Sequence, residues 1–583
     1  MRPDSWRNLL AFVLLCLAAV LAACGGGGAG EAAAVPTMAA DGGLDDPTVY
    51  SSLAAASLPG AQEAAAVTQH SMMLDGQRVD YTATAGHLIA RENGGAQRAQ
   101  ASMFYVAYSI AQPNAAARAV TFFYNGGPGS ATVWLQLGSY GPKRLVTGVP
   151  ATTAAQPFAL VDNADSLLRH SDLVFINAVG SGRSQAIAPF TNRSFWGVDK
   201  DAEIFRDFIL RYLQANGRMA SPKFLFGESY GGPRTAVLAR RLQDAGVMLD
   251  GVVLQSAAMD YSSNCGVSDS PRTSCAGYLP SYAAVGAWHQ LTQPVASDLE
   301  AWMEQVRAFT EVSFAPAVQT FITTGANAPA LWQPLADRSG LPAARWQAQL
   351  NLGPTTYRKQ LLSNQLIGRY DGRMKAPVGS LLAAQEDPSS TWIYSAFADA
   401  INSHLRDTLR YRNNSSYVVL SNAIDVWDFS HDGRDVPDTI PDLAQALAQN
   451  PGLRVLAING YHDLATPFRI TETDLARIPS SRIRVRNYVG GHMSYLDDGS
   501  RPQQRADLIA FFAESLVGRS ASAARAHYCL PPAGVRSPIM PVLCKGSACQ
   551  RHHLSQPFRH RCATRGCQAA SRAERNYPAG TFG

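Results

Sequence analysis

Short apolar runs separated by glycine-rich or polar turns recur along this chain, and most have the length of a strand. Ala119–Tyr124, Leu173–Ile176, Pro222–Phe226, Val252–Gln255 and Arg454–Ile458 are nearly continuous in apolar residues, as strands buried on both faces are. Ile483–Val489 alternates apolar with polar side chains and predicts a strand with one wetter face. Val79–Thr84 and Met103–Tyr108, inside the stretch from His70 to Ala111, predict leading antiparallel strands. Helical spacing appears elsewhere. Thr235–Leu242, rich in Ala, Leu and Arg, follows directly on one buried run, and Ser297–Val312, Ala343–Asn351 and Trp392–Arg410 carry spaced apolar residues. Strands alternating with helices predict an α/β fold, and the helical stretch in the middle predicts an insertion.

Four of the turns carry candidate chemistry. Between the run at Pro222–Phe226 and the helix at Thr235 lies Gly227-Glu228-Ser229-Tyr230-Gly231, a serine with a glycine two residues to either side. Strand, sharp turn, helix is the setting of a nucleophile elbow, where a strained backbone lifts Ser Oγ into a cleft and the glycines remove colliding Cβ atoms. A serine used for acyl transfer needs a base, a group to orient that base, and donors for the oxyanion. Arg454–Ile458 runs into Asn459-Gly460-Tyr461-His462-Asp463, which puts Asp463 just past the carboxyl end of a strand. The next strand ends in Gly490-Gly491-His492-Met493, so His492 follows in the chain order Ser, Asp, His of the α/β-hydrolase layout. Asp425 and Asp428 are rival orienters, and His462, adjacent to Asp463, is read as a surface or pocket-wall residue. Upstream, Ala119–Tyr124 enters Asn125-Gly126-Gly127-Pro128-Gly129, whose side-chain-free backbone lets amides approach a carbonyl. The expected oxyanion donors are the amides of Gly127 and Tyr230.

The loop Asn125-Gly126-Gly127-Pro128-Gly129, the elbow Gly227–Gly232, Asp463 and the Gly491-His492-Met493 turn together resemble the serine carboxypeptidase family, over roughly residues 70 to 515. The resemblance implies an α/β-hydrolase fold with a mostly parallel central sheet flanked by helices and a helical cap inserted between nucleophile and acid. It implies hydrolysis of the C-terminal peptide bond, with Ser229 as nucleophile, His492 as general base and acid, and Asp463 as orienter. It also implies that Asn125, Gly126 and Glu228 hold the terminal carboxylate of the peptide, and that neither metal nor organic cofactor is needed. Two stretches depart from the family pattern. Ser139-Tyr140-Gly141-Pro142 lacks a glutamate, and Asn177–Ser184 lacks an aspartate and a proline. Both departures bear on carboxylate recognition, so an esterase or acyltransferase on the same scaffold is the alternative in the same class. A non-catalytic binding protein is the alternative in another.

The ends of the chain speak to location. Arg2 and Arg7 precede an apolar run from Leu9 to Leu21 that is short for a membrane span, and Leu21-Ala22-Ala23-Cys24 resembles a bacterial lipobox. The expectation is a signal peptide over 1–23, lipid on Cys24, a flexible tether over 24–69, and an exported protein held at the bacterial cell envelope by its lipid alone. Cys265 and Cys275 flank a turn-rich stretch and are expected to form a local disulfide in that setting. The remaining boundaries are 70–262 and 435–520 for the two parts of the core, 263–434 for the cap, and 521–583 for a basic tail with scattered Cys and His, read as disordered rather than as a zinc module.

With 583 residues, 46% hydrophobic and 16% charged, the chain can bury a large core. Of its net charge of +5, Cys529–Gly583 carries +7, from eight Lys or Arg against one acid, which leaves −2 for everything before it. The basic balance is therefore a property of the tail and implies no nucleic-acid partner. Peptides are the expected partners, and the sequence is silent on oligomeric state.

Overall fold

The computed structural model describes residues 36–154, 156–268 and 270–528, together with 544–545 and 548–549. The chain divides into two units, 1–524 and 525–583. In the second, Cys544–Lys545 pairs antiparallel with Ala548–Cys549. The predicted signal peptide, Cys24, and most of the Cys/His tail lie outside the described residues.

The first unit is built on a ten-stranded sheet. Nine of its strands are β1 (Ala64–Leu74), β2 (Gln77–Arg91), β3 (Ala99–Ser109), β4 (Val120–Tyr124), β5 (Asp172–Ile176), β6 (Lys223–Glu228), β7 (Gly251–Gln255), β8 (Arg454–Gly460) and β9 (Ile483–Tyr488), and the two-residue Gln185–Ala186 pairs beside β3. In space they run β9-β8-β7-β6-β4-β5-β3-β2-β1. The six from β9 to β5 are mutually parallel, and β3, β2 and β1 form the antiparallel flank read from the sequence. Strands β4 to β7 are buried at every residue, because helices cover both faces.

On one face α2 (Val198–Ala215), α3 (Gly231–Asp244) and α11 (Ile440–Gln449) pack Ile204, Phe205, Phe208, Leu238, Leu242 and Leu443 against the sheet. On the other, α1 (Val133–Gly138), α10 (Pro388–Ser403) and α12 (Arg501–Tyr528) contribute Leu135, Leu137, Phe397, Ile401, Phe511 and Phe512. Each such side chain contributes about 1.5–3 kcal/mol by leaving water. This is the α/β-hydrolase fold, with the helical insertion placed between β7 and β8.

The cap has its own core. Its helices α4 (Leu279–Trp288), α5 (Leu299–Phe309), α6 (Ala315–Thr324), α7 (Trp332–Ser339), α8 (Ala343–Ala348) and α9 (Pro354–Gln360) bury Tyr282, Met303, Leu335, Trp346 and Tyr357 among themselves, with Tyr461, Leu464 and Phe468 of the hydrolase body closing the cluster. The Cys265–Cys275 disulfide is formed at the base of this insertion, with Cα atoms 5.3 Å apart.

Two boundaries differ from the sequence reading. Residues 36–69 are not all tether. Leu44–Asp45 pairs with Tyr411–Arg412, Tyr411 Oη donates to Asp46 Oδ2 at 2.5 Å, Leu58 is buried, and β1 begins at Ala64. An Ala/Gly-rich composition hid these contacts, since the partners of Leu44 and Leu58 lie far along the chain, at Tyr411 and Ile187. The insertion 263–434 is also not all cap, since α10 packs on the main sheet, where the Phe397 ring lies 4.9 Å from that of Trp134.

Candidate active site

β6 ends at Glu228 and α3 begins at Gly231, leaving Ser229 and Tyr230 to make the whole turn. Ser229 takes φ 62°, a left-handed conformation that costs a non-glycine residue about 1–3 kcal/mol and persists only when its surroundings enforce it. Here Ser229 N donates to Gln255 O at 2.9 Å and Gly232 N donates to Ser229 O at 2.8 Å. Gly227 is required by packing, because a Cβ there would run into Gly231 O and Thr235 Oγ1. Ser229 is left half-buried while its neighbours are buried. The tight strand-to-helix turn that the spacing predicts is present.

The carboxyl ends of β8 and β9 bring Asp463 and His492 together. His492 Nδ1 donates to Asp463 Oδ2 at 2.8 Å, and both side chains are buried. Asp463 also accepts from Ala465 N (2.7 Å), Thr466 N (3.0 Å) and Thr466 Oγ1 (2.8 Å), which fixes the carboxylate and its charge in place. Burial alone would push the imidazole down. The Asp463 charge and hydrogen bond, together with Glu228, outweigh burial and the opposing charge of Arg369, and His492 ends above its ordinary value. The His492 loop is tied to the elbow's neighbour strand by two bonds. Gln255 Nε2 donates to His492 O at 3.3 Å, and Ser256 Oγ donates to the same oxygen at 2.6 Å. Since Ser229 N bonds Gln255 O, one residue of β7 braces both loops.

The other candidates sort clearly. His462 is buried, not at the surface, and burial pushes its imidazole down to about 3, so it stays neutral. Asp425 and Asp428 are exposed, away from the buried Asp463–His492 pair.

The Asn125–Gly129 loop lies directly on the elbow. A Cβ on Gly126 would overlap Tyr230 N, Glu228 O and Gly231 N, so only glycine permits so close an approach of this loop to the turn at Ser229. Among the described residues neither amide meets a protein acceptor. Gly127 adopts φ 103°, again a glycine conformation. Asn125 is buried, with Oδ1 accepting from Leu135 N at 3.1 Å.

Glu228 is buried beside it and accepts from Tyr495 Oη at 2.7 Å. Burial pushes the Glu228 carboxyl up to about 7, against the pull of His492, Tyr495 and Asn125, with Asp463 adding to the rise. The two stretches that depart from the family pattern serve structure. Ser139 Oγ donates to Leu135 O at 2.5 Å, and Asn177 Oδ1 accepts from Thr132 N (2.9 Å) and Tyr417 Oη (3.1 Å), steadying the chain just after the glycine loop.

Sequence reasoning missed three positioning groups. Arg234, on α3, is fully buried; it donates to Asp201 Oδ2 at 2.6 Å and to Asn125 O at 2.6 Å, so it clamps the glycine loop to the elbow helix. Tyr495 reaches Glu228 from a residue 267 positions away. Residues 369–372, returning from the cap, bond both the Asp463 loop and the His492 loop. Leu464 N donates to Arg369 O at 3.0 Å, Gly372 N to His462 O at 2.9 Å, and His492 N to Tyr370 O at 2.5 Å, while the Tyr370 ring lies 5.0 Å from that of His492. Nothing in the local spacing of an arginine or tyrosine signals such a role.

Residues 75–265 match the serine carboxypeptidase family. No curated protein matches the chain. Among solved structures, a prohormone-processing carboxypeptidase from Saccharomyces cerevisiae is 14% identical, with 74% of this chain and 91% of that one covered and a TM-score of 0.48. A proline iminopeptidase from Mycobacterium smegmatis is 16% identical over 72% of this chain and 96% of its own, with a TM-score of 0.31. A juvenile hormone epoxide hydrolase from the silkworm Bombyx mori is 14% identical over 75% and 79%, with a TM-score of 0.32. With the glycine loop and the serine turn both inside the matched segment, the chain resembles the serine carboxypeptidase family and carries its motifs on an α/β-hydrolase fold.

Proposed function

We propose that the protein is a serine carboxypeptidase acting through Ser229, His492 and Asp463. The observation that carries this reading is the buried 2.8 Å bond between His492 and Asp463 at the same sheet edge as the strained serine turn. In the proposed reaction Ser229 Oγ attacks the last peptide carbonyl as His492 takes its proton. Asp463 holds the imidazole in the tautomer that presents Nε2 and stabilises the imidazolium. The amides of Gly127 and Tyr230 receive the oxyanion. Losing one such donor is worth about 3 kcal/mol of barrier. His492 then protonates the departing amino acid, and water releases the acyl group. Asn125, Gly126 and Glu228 are the proposed seat of the terminal carboxylate. Mass spectrometry of matched peptides with free and amidated C-termini tests the reading. Trimming of the free form by single residues is expected, and equal trimming of both forms would remove the carboxylate claim.

Glu228 gives the reaction a pH signature. Below about 7 its carboxyl is protonated and can donate to the carboxylate of a peptide; above that it is ionised and repels it. His492 must be neutral to accept a proton, and its raised pKa sets the acid limb for every substrate. The ratio of kcat/KM on a free-acid peptide to kcat/KM on a neutral ester is therefore expected to fall with rising pH above about 7, with Glu228→Gln flattening it. A ratio independent of pH from 6 to 9 would detach Glu228 from substrate binding.

We further propose that the protein is exported and lipid-anchored through Cys24. The disulfide supports an oxidising compartment. Among the described residues no helix is long and apolar enough to cross a membrane. Incorporation of labelled fatty acid, lost in Cys24→Ala, tests the anchor.

A further inference from the structure

Buried arginines in this protein have partners. Arg118 and Arg218 share Asp172, Arg234 bonds Asp201, Arg373 bonds Asp371 and Asp497, and Arg501 bonds Asp165. Arg358 donates to the carbonyls of Ile367 and Glu386. Arg369 does neither. Among the described residues its guanidinium meets no carboxylate and no carbonyl, although the residue is half-buried.

Its place is fixed by the strap that joins the cap to the catalytic loops. Arg369 N donates to Asp387 Oδ1 at 2.9 Å, and Arg369 O accepts from Leu464 N, the residue after Asp463, at 3.0 Å. Its guanidinium carbon sits 5.6 Å from the centre of the Tyr370 ring, the ring that lies against His492. Three phenols mark out its surroundings. Burial raises Tyr261, Tyr278 and Tyr370, and in each the strongest pull the other way is the Arg369 charge. Those phenols come from the end of the first core segment, the cap and the strap. The cation thus sits where the cap meets the catalytic edge of the sheet. The charges of Asp387 and Asp463 act on it from a distance, but neither carboxylate bonds the guanidinium, and an arriving carboxylate could do so as a bidentate, charge-assisted pair.

We infer that Arg369 is a specificity-determining residue that binds a carboxylate of the peptide substrate, either the terminal carboxylate or an acidic side chain among its last residues. This rests on the carboxypeptidase reading and adds to it a cation supplied from the cap side, separate from Asn125 and Glu228.

The test uses the full-length enzyme and two pairs of peptides, one differing only in a free or amidated C-terminus, the other only in Asp or Asn at the penultimate position. For each pair the ratio of kcat/KM, charged over neutral, is compared between wild type and Arg369→Gln, with Arg369→Met as a second variant should the first fold poorly. A loss of about ten- to hundred-fold in one ratio, expressed in KM, is expected from removing a charged hydrogen-bond pair. A fall in the first ratio assigns the terminal carboxylate, and a fall in the second assigns the acidic side chain. If neither ratio moves, the proposal is wrong, whatever happens to overall rates. Should the wild-type enzyme trim no peptide, the carboxypeptidase reading fails on its own. The same comparison then runs on p-nitrophenyl hemisuccinate against p-nitrophenyl butyrate, where an unchanged ratio overturns the role of Arg369.

Discussion

Replacing Ser229 by alanine is expected to lower kcat on any accepted peptide or ester by about 10⁴–10⁶-fold and to abolish labelling by a fluorophosphonate. The residual rate belongs to the oxyanion donors and to substrate binding, which alanine leaves in place. The backbone at this position is left-handed for serine and stays so for alanine, so the strain is unchanged and the melting temperature should move little. Mass spectrometry of a tryptic digest after labelling locates the adduct. Labelling that persists in Ser229→Ala, on some other residue, would show that the nucleophile had been misassigned.

Replacing Arg234 by alanine is expected to destabilise the protein by about 3–5 kcal/mol, measured as a fall in the denaturant midpoint. Both partners are buried, with Arg234 at 0% and Asp201 at 2% exposure, and the guanidinium is enclosed by the rings of Phe205, Tyr124 and Tyr230. Burial already holds Asp201 above its usual range with Arg234 beside it. Without that cation the carboxyl must take up a proton or remain as an unpaired charge. The same change removes the donor to Asn125 O, so activity should fall by more than the loss of folded protein explains. Replacing both partners together, Arg234→Met with Asp201→Leu, should restore much of the stability but not the position of the glycine loop. Full recovery of activity in the double variant would show that the clamp on Asn125 has no part in catalysis.

What could be read from the chain and what could not divide along a physical line. The elbow, Asp463 and His492 were legible because each is announced by its own neighbours: a run of buried residues with the length of a strand, then glycines where a tight turn must follow. The six parallel strands announced themselves in the same way. The residues that hold these pieces in register carry no such local mark. Arg234 reaches Asp201 and the Asn125 carbonyl from 33 and 109 positions away, and Tyr495 reaches Glu228 across 267. An arginine on a helix reads as a solvated charge until its partner is known. Composition misled at the N-terminus, where Leu44 and Asp46 are buried by residues near Tyr411. A histidine in a turn beside Asp463 reads as a surface or pocket-wall residue, yet the cap covers that turn, with Trp288 6.0 Å from the His462 ring.

The strap at 369–372 has a consequence for anyone re-engineering selectivity. Three backbone hydrogen bonds stitch it to the Asp463 and His492 loops, and it lies between two paired strands of the cap segment, Gln365–Ile367 and Lys375–Pro377. A chimera that imports a foreign lid would inherit a new geometry for the Asp463–His492 pair unless Arg369 to Gly372 were kept as a fixed seam. If the proposed activity holds, breadth of diet and turnover would be adjusted by the same few peptide units.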